Sequence, residues 1–346
     1  MLAARLHEYD ETLSRPELVR LEEVPEPQIE EPDDVIVRVG GAGLCRTDLH
    51  IIEGIWRTKV DRPLPYTLGH ENAGWVHAVG EMVRTVRPGD AVIVHPLMTD
   101  GVCPACRRGE DMHCVNSKFP GIDTDGGFAE FLRTKERSVL KLPPGLEPKD
   151  VAPYADAGLT AFRAARKAAG ILRPGMSAVI IGFGGLGHIA AQVLRSLCAA
   201  RIIVVDVSEA ALQLASQLGF TDQVPSGPGV VEQVRRLTDG GADAVLDFVG
   251  EKGTPDQGMA MLRKGGTYFV IGYGGVLQVP TIDLIVAEYS IVGNLVGNFT
   301  ELRELMTLAG EGKVRLTTRV YPLREINQAM HDLAAGRLTG RAVLVP

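Results

Sequence analysis

The chain has 346 residues, 36 of them basic and 43 acidic, for a formal charge of −7, with 45% hydrophobic and 23% charged side chains. That balance excludes a disordered or fibrous protein, and the acid excess gives no support for a nucleic-acid partner. The length favours two domains over one, and 40 glycines beside only 5% aromatics suggest tight turns and close backbone approaches.

The opening segment, MLAARLHEYDE, has no apolar core of the secretory kind. The longest uncharged stretch, Pro174 to Leu194, contains five glycines and a histidine and reads as strand, turn and helix, not as a membrane span. A soluble, cytoplasmic protein without a membrane partner is expected. Along the first 150 residues the runs VIVRVGGAGLC, NAGWVHAVG, DAVIVHP and GGFAEFL are short, partly alternating and bounded by turns, which predicts an all-β region. The character changes near Val151. SAVIIG, RIIVVD, DAVLDFVG and TYFVIG read as strands, and LGHIAAQVLRSLC, SEAALQLASQLG, VVEQVRRLT and TPDQGMAMLRK as helices, with Ser208 as an N-cap. Such alternation predicts a parallel, doubly wound sheet. Two helical patterns, TELRELMTLAGEG and REINQAMHDLAAG, and the run RAVLVP close the chain.

Gly182-Phe-Gly184-Gly185-Leu186-Gly187 directly follows a strand and opens a helix. The first glycine allows a tight turn, the second lets backbone approach a pyrophosphate, and the third lets helix and strand pack closely; the helix N-terminus attracts phosphate. The next strand ends in Asp206, 19 residues after Gly187, where a carboxylate accepts the ribose hydroxyls and repels a 2′-phosphate. NAD is the expected cofactor.

The five cysteines are an odd number, and three of them cluster, which favours metal or catalysis over disulfides. Asp100, Cys103, Cys106 and Cys114 have the spacing D-x2-C-x2-C-x7-C, that of a closed, structural zinc knuckle. Unmetallated thiols or a Cys103–Cys106 disulfide are the alternatives, and His113 and Asp111 compete with Asp100 as the fourth ligand. Cys198 is expected in the core.

A second concentration of reactive side chains runs Cys45-Arg46-Thr47-Asp48-Leu-His50, followed by Gly69-His70-Glu71-Asn-Ala-Gly74. With the cysteine lobe and the glycine fingerprint, these motifs resemble the zinc-dependent alcohol dehydrogenases of the medium-chain dehydrogenase/reductase superfamily over the whole length. The resemblance implies a GroES-like β-rich catalytic domain at 1–156 and 296–346, with a structural-zinc lobe at about 96–118, and a Rossmann coenzyme domain at 157–295. It also implies a cleft between the two domains, zinc on one wall and cofactor on the other.

By position in the motifs, Cys45 and His70 match two ligands of a catalytic zinc, and Asp156, in Tyr-Ala-Asp-Ala-Gly-Leu-Thr, matches the aspartate form of the third. An aspartate there could instead cap the following helix. Glu71 matches a residue that ligates the zinc transiently, and Asp48 the partner of the histidine ligand. Thr47 matches the hydroxyl that bonds the substrate oxygen, His50 the base at the outer end of a proton relay, and Arg46 a pyrophosphate contact. Trp56 is a candidate for the pocket wall, with packing as the other reading. The implied reaction is reversible hydride transfer between an alcohol and NAD, with a lean to secondary alcohols, in a homotetramer or else a dimer. A sister enzyme acting on a polyol, amino-alcohol or aldehyde, and a non-catalytic member of the fold, are the competing readings.

Overall fold

The computed structural model describes residues 1–60 and 62–346. Its strands, in chain order, are β1 (Leu2–Leu6), β2 (Arg20–Glu23), β3 (Asp34–Leu44), β4 (Tyr66–Thr67), β5 (Glu71–Val79), β6 (Ala91–Val94), β7 (Phe131–Lys135), β8 (Val139–Lys141), β9 (Ser177–Ile181), β10 (Arg201–Asp206), β11 (Gln223–Pro225), β12 (Ala242–Asp247), β13 (Leu262–Val270), β14 (Ser290–Gly293), β15 (Thr318–Pro322) and β16 (Arg341–Val345). The chain forms two compact units. One comprises Met1–Leu159, Gly297–Gly310 and Leu316–Pro346, and the other Thr160–Val296 and Glu311–Arg315.

The first unit is built on β3. Its start pairs with β7 and its end with β16 along one edge, while β5 pairs along the other. Outward from this centre the sheet runs β15-β16-β3-β5-β6-β8, and a separate three-stranded sheet runs β2-β1-β4. The apolar faces bury Val35, Val37, Leu44, Leu68 and Phe128 in one core, to which the helices contribute Leu49, Ile52, Ile326 and Met330. The all-β expectation for the first 150 residues needs correction, since helices stand at Arg46–Ile52, Pro104–Arg107 and Pro148–Val151. GLCRTDLHII does not continue β3; residues Arg46–Ile52 form a helix. Cys45 stays extended as its N-cap, and Asp48 closes a capping box back onto the Cys45 amide.

The second unit is a parallel six-stranded sheet in the order β11-β10-β9-β12-β13-β14. Buried on both faces, β9 reads as a continuous apolar run. The order reverses between β9 and β12, the switch point where such sheets bind nucleotides. Ser208 caps the helix Glu209–Gln217, accepting from the Ala211 amide. The helical reading of TPDQGMAMLRK is too long at its end: the helix stops at Met261, and Leu262 begins β13. Among the described residues no helix is long and apolar enough to cross a membrane.

Candidate functional site

Two turns of backbone bring the first cluster together. Where β3 ends, the Cys45 amide donates to Asp48 Oδ2 at 2.9 Å, which fixes the start of the helix Arg46–Ile52. Just before β5, Gly69 has φ +98° and lies against Phe128, a conformation that a side chain there would oppose. His70 follows it, 1% exposed, with its ring edge-on to Phe119. His70 Nδ1 lies 3.2 Å from Asp48 Oδ1, and Nε2 lies 3.5 Å from Asp156 Oδ2. Cys45, His70, Glu71 and Asp156 each place one donor atom within 4.8 Å of the other three.

The electrostatics of this cluster suit a cation. Burial works against a charged His70, but Asp48, Asp156 and Cys45 outweigh it and hold its pKa well above the usual imidazole value. Neither His70 nitrogen makes a well-directed hydrogen bond, nor does Asp48 Oδ1. A buried imidazole lodged among acids is where a metal ion takes the place of a proton. Thiolate, imidazole and carboxylate are zinc donors, and the residues present fit that ion.

Glu71 is fully buried, and the sequence did not reveal its partner. Its Oε1 accepts from the Ala157 amide at 3.1 Å, and its Oε2 pairs with the guanidinium of Arg341, itself 4% exposed. Burial pushes the Glu71 carboxyl up, and Arg341 opposes that shift. No motif marks Arg341 in RAVLVP; only strand pairing brings it here.

The helix Arg46–Ile52 carries the remaining candidates. Asp48 and His50 are buried on it, Thr47 is half-buried, and exposed Arg46 lies 3.4 Å from Glu53. Trp56 is partly buried against the core of the first unit.

The cysteine lobe forms a second donor set, in which Asp100, Cys103, Cys106 and Cys114 place one atom each within 4.8 Å of one another. Backbone amides point at the sulfurs, from Cys106 to Cys103 and from Asp100 to Cys114, both at 3.5 Å. Asp100 Oδ1 accepts from the amides of Val102 and Cys103, and Oδ2 from Asn116. The competing ligands are engaged elsewhere. Asp111 binds Arg137 and the Phe299 amide, and His113 is exposed beside Glu110. All five cysteines are free thiols. Burial and the neighbouring thiols push Cys106 up to about 12, a crowding that a bound cation relieves. Cys198, expected in the core, is instead half-buried at the C-cap of the helix Gly187–Leu197.

In the second unit the glycine turn separates its three jobs. Gly182 has φ +85°. Gly184 faces open space, with nothing within 4 Å of where a Cβ would stand, while a Cβ on Gly187 would lie 1.8 Å from the Gly182 carbonyl oxygen. The helix beginning at Gly187 has Leu186 at its N-cap and no side-chain cap bond, so its first amides face the turn. Gly185 completes the turn between Gly184 and Leu186. Asp206, at the end of β10, accepts from the amides of Phe183 at 2.6 Å and Ser208 at 2.7 Å. His188, which the glycine motif does not single out, donates from Nδ1 to the Gly184 carbonyl at 2.6 Å.

One unit with a GroES-like strand order and a thiol–imidazole–carboxylate cluster, and another with a parallel sheet and a glycine turn, are the parts of a medium-chain dehydrogenase/reductase. Residues 31–144 match the alcohol dehydrogenase GroES-like domain, and residues 185–311 the zinc-binding dehydrogenase domain. A NAD-dependent alcohol dehydrogenase of Sulfolobus acidocaldarius is 37% identical, covering 99% of each chain. A D-arabinose 1-dehydrogenase (NADP(+)) of Saccharolobus solfataricus is 35% identical over 99% of this chain and 97% of its own. The crystal structure of an alcohol dehydrogenase from the hyperthermophilic archaeon Aeropyrum pernix matches with a TM-score of 0.95 at 49% identity, covering 100% of both chains. The chain belongs to the zinc-dependent alcohol dehydrogenases of the medium-chain superfamily.

Proposed function

We propose that the protein is an NAD-dependent zinc alcohol dehydrogenase that interconverts an alcohol, secondary by preference, with its ketone or aldehyde. The observation that carries this reading is the convergence of Cys45, His70 and Asp156 on one point with Asp48 behind the histidine. The first unit is the catalytic domain and the second the coenzyme domain. Cys45, His70 and Asp156 hold the catalytic zinc; Asp100, Cys103, Cys106 and Cys114 hold a structural one. When bound, zinc supplies Lewis acidity toward the alcohol oxygen and NAD accepts the hydride.

The chain's own residues do the rest. Three protein ligands leave a coordination position for substrate. Asp48 fixes the tautomer and orientation of His70. Thr47 hydrogen-bonds the substrate hydroxyl and passes on its proton, and His50, one helical turn further on, receives it as the base. Arg46 and the amides of the glycine turn bind the pyrophosphate, and Asp206 binds the ribose and repels a 2′-phosphate.

Cys45→Ser and Asp156→Ala should each abolish alcohol oxidation while NADH binding persists. Full activity in Asp156→Ala would move the third ligand elsewhere. A panel of secondary and primary alcohols, polyols, amino-alcohols and aldoses with NAD tests the substrate class. The highest kcat/KM is expected for a secondary alcohol, and a polyol or aldose optimum would replace that reading.

The proposal extends to a cytoplasmic homotetramer. Its support is the edge strand β14, where Ser290, Ile291 and Gly293 are exposed, beside a helix that exposes Ile282, Ile285 and Val286. An open apolar sheet edge is a place for a second copy of the chain. A monomer at micromolar concentration in sedimentation would contradict it.

A further inference from the structure

Arg341 is a buried cation beside the metal cluster, and the pairing of three strands explains how it comes to be there. Gly43 of β3 lies opposite Val343 of β16 on one side and Glu71 of β5 on the other. Two residues along, on the same face, Cys45 comes level with Arg341, since Leu44 pairs with Ala342. Glu71, Cys45 and Arg341 thus rise from one face of the sheet around Gly43. That glycine gives the carboxylate its room, because a Cβ there would stand 2.0 Å from Glu71 Oε2.

We propose that Arg341, together with Gly43, is a positioning residue that holds Glu71 beside the metal as a counter-charge and so keeps a coordination position free for substrate. The proposal rests on the assignment of Cys45, His70 and Asp156 as ligands. A Glu71 oxygen lies within 4.8 Å of each of their donor atoms, close enough for a released carboxylate to become a fourth protein ligand. Four protein ligands close a zinc site, and three leave it open. Both Glu71 oxygens are engaged, one by Arg341 and the other by the Ala157 amide. The charges nearest the metal also pair off: the Cys45 thiolate and Asp156 face its two positive charges, Glu71 faces the guanidinium, and Asp48 stands behind His70. Without Arg341, Glu71 would be a buried carboxylate with no cation except the metal, and an unpaired buried charge is costly.

Cobalt(II) in place of zinc reports its coordination by absorption. Subtracting the spectrum of the Cys45→Ser variant isolates this site from the cysteine lobe, and imidazole serves as the probe of the open position. In Arg341→Gln the cobalt bands should shift and imidazole should bind about tenfold more weakly, as Glu71 occupies the position. Gly43→Ala keeps both charges but expels the carboxylate, and should reproduce that behaviour; it carries the test should Arg341→Gln not fold. Arg341→Gln/Glu71→Gln should restore the bands and the imidazole affinity, and Arg341→Lys should retain most of both. A purely structural role would lower the melting temperature and leave imidazole affinity alone. Unchanged bands and imidazole affinity in Arg341→Gln and Gly43→Ala, or a double variant that restores neither, would overturn the proposal. Identical cobalt spectra for the unmodified chain and Cys45→Ser would instead refute the ligand assignment on which it rests.

Discussion

Asp48 Oδ1 lies 3.2 Å from His70 Nδ1 while its Oδ2 accepts from the amide of Cys45 at 2.9 Å. One carboxylate therefore sets the orientation of the His70 ring and the backbone at Cys45. Asp48→Asn keeps a hydrogen-bonding group at the helix start but removes the charge behind the imidazole. It should weaken zinc binding about 10–100-fold, read by competition with a chelating dye. Unaltered affinity would show that Asp48 serves only as a helix cap.

Asp206 is the residue we propose to set the cofactor preference. Its carboxylate sits at the end of β10, bonded to the amides of Phe183 and Ser208, where the 2′-phosphate of NADP would meet its charge. The ratio of kcat/KM for NAD over NADP should exceed one by a wide margin, and Asp206→Ala should narrow it about tenfold or more. A native preference for NADP would sink this assignment.

The cysteine lobe is expected to serve stability. Cys103→Ser removes a proposed thiolate ligand while its hydroxyl can still accept from the Cys106 amide at the N-cap. The melting temperature should fall by on the order of 5 °C or more, with initial kcat at moderate temperature nearly unchanged. A large loss of kcat without a loss of stability would place the lobe in the chemistry.

His50 is 7% exposed, which removes the reading of a solvated surface histidine. In the proposed role of base it must be neutral to act, so oxidation should weaken as pH falls. His50→Gln should slow oxidation about tenfold, chiefly on the acid side of the pH–rate profile, with small buffer bases restoring part of the rate. A profile identical to that of the unmodified enzyme would exclude this role.

Much of this cluster was legible in the sequence because Cys45, His70 and Glu71 fall in short motifs. Cys45 to His50, Gly69 to Gly74 and the glycine turn each gather their candidate residues within eight positions, and local turns present them. Arg341 was not legible. It reaches Glu71 across 270 positions through strand register alone, and register depends on the whole sheet. The helix Thr281–Ala287 and β14 were not legible either, because Leu284 to Ala287 is an unbroken apolar run and Ser290–Gly293 is short, so neither shows a period. The helix Arg46–Ile52 was hidden for another reason: β3 and the helix are both apolar, and only the Cys45–Asp48 capping box marks the change.

In the function we propose, a metal held by Cys45, His70 and Asp156 is what makes the chain an NAD-linked alcohol dehydrogenase. The most direct test is NADH formation from a secondary alcohol, followed by absorbance before chelation, after complete removal of metal, and after zinc is returned. The expected result is activity that vanishes with the metal, returns with zinc in the unmodified chain, and does not return in Cys45→Ser. Undiminished activity in the metal-free protein, or equal restoration in Cys45→Ser, would contradict it.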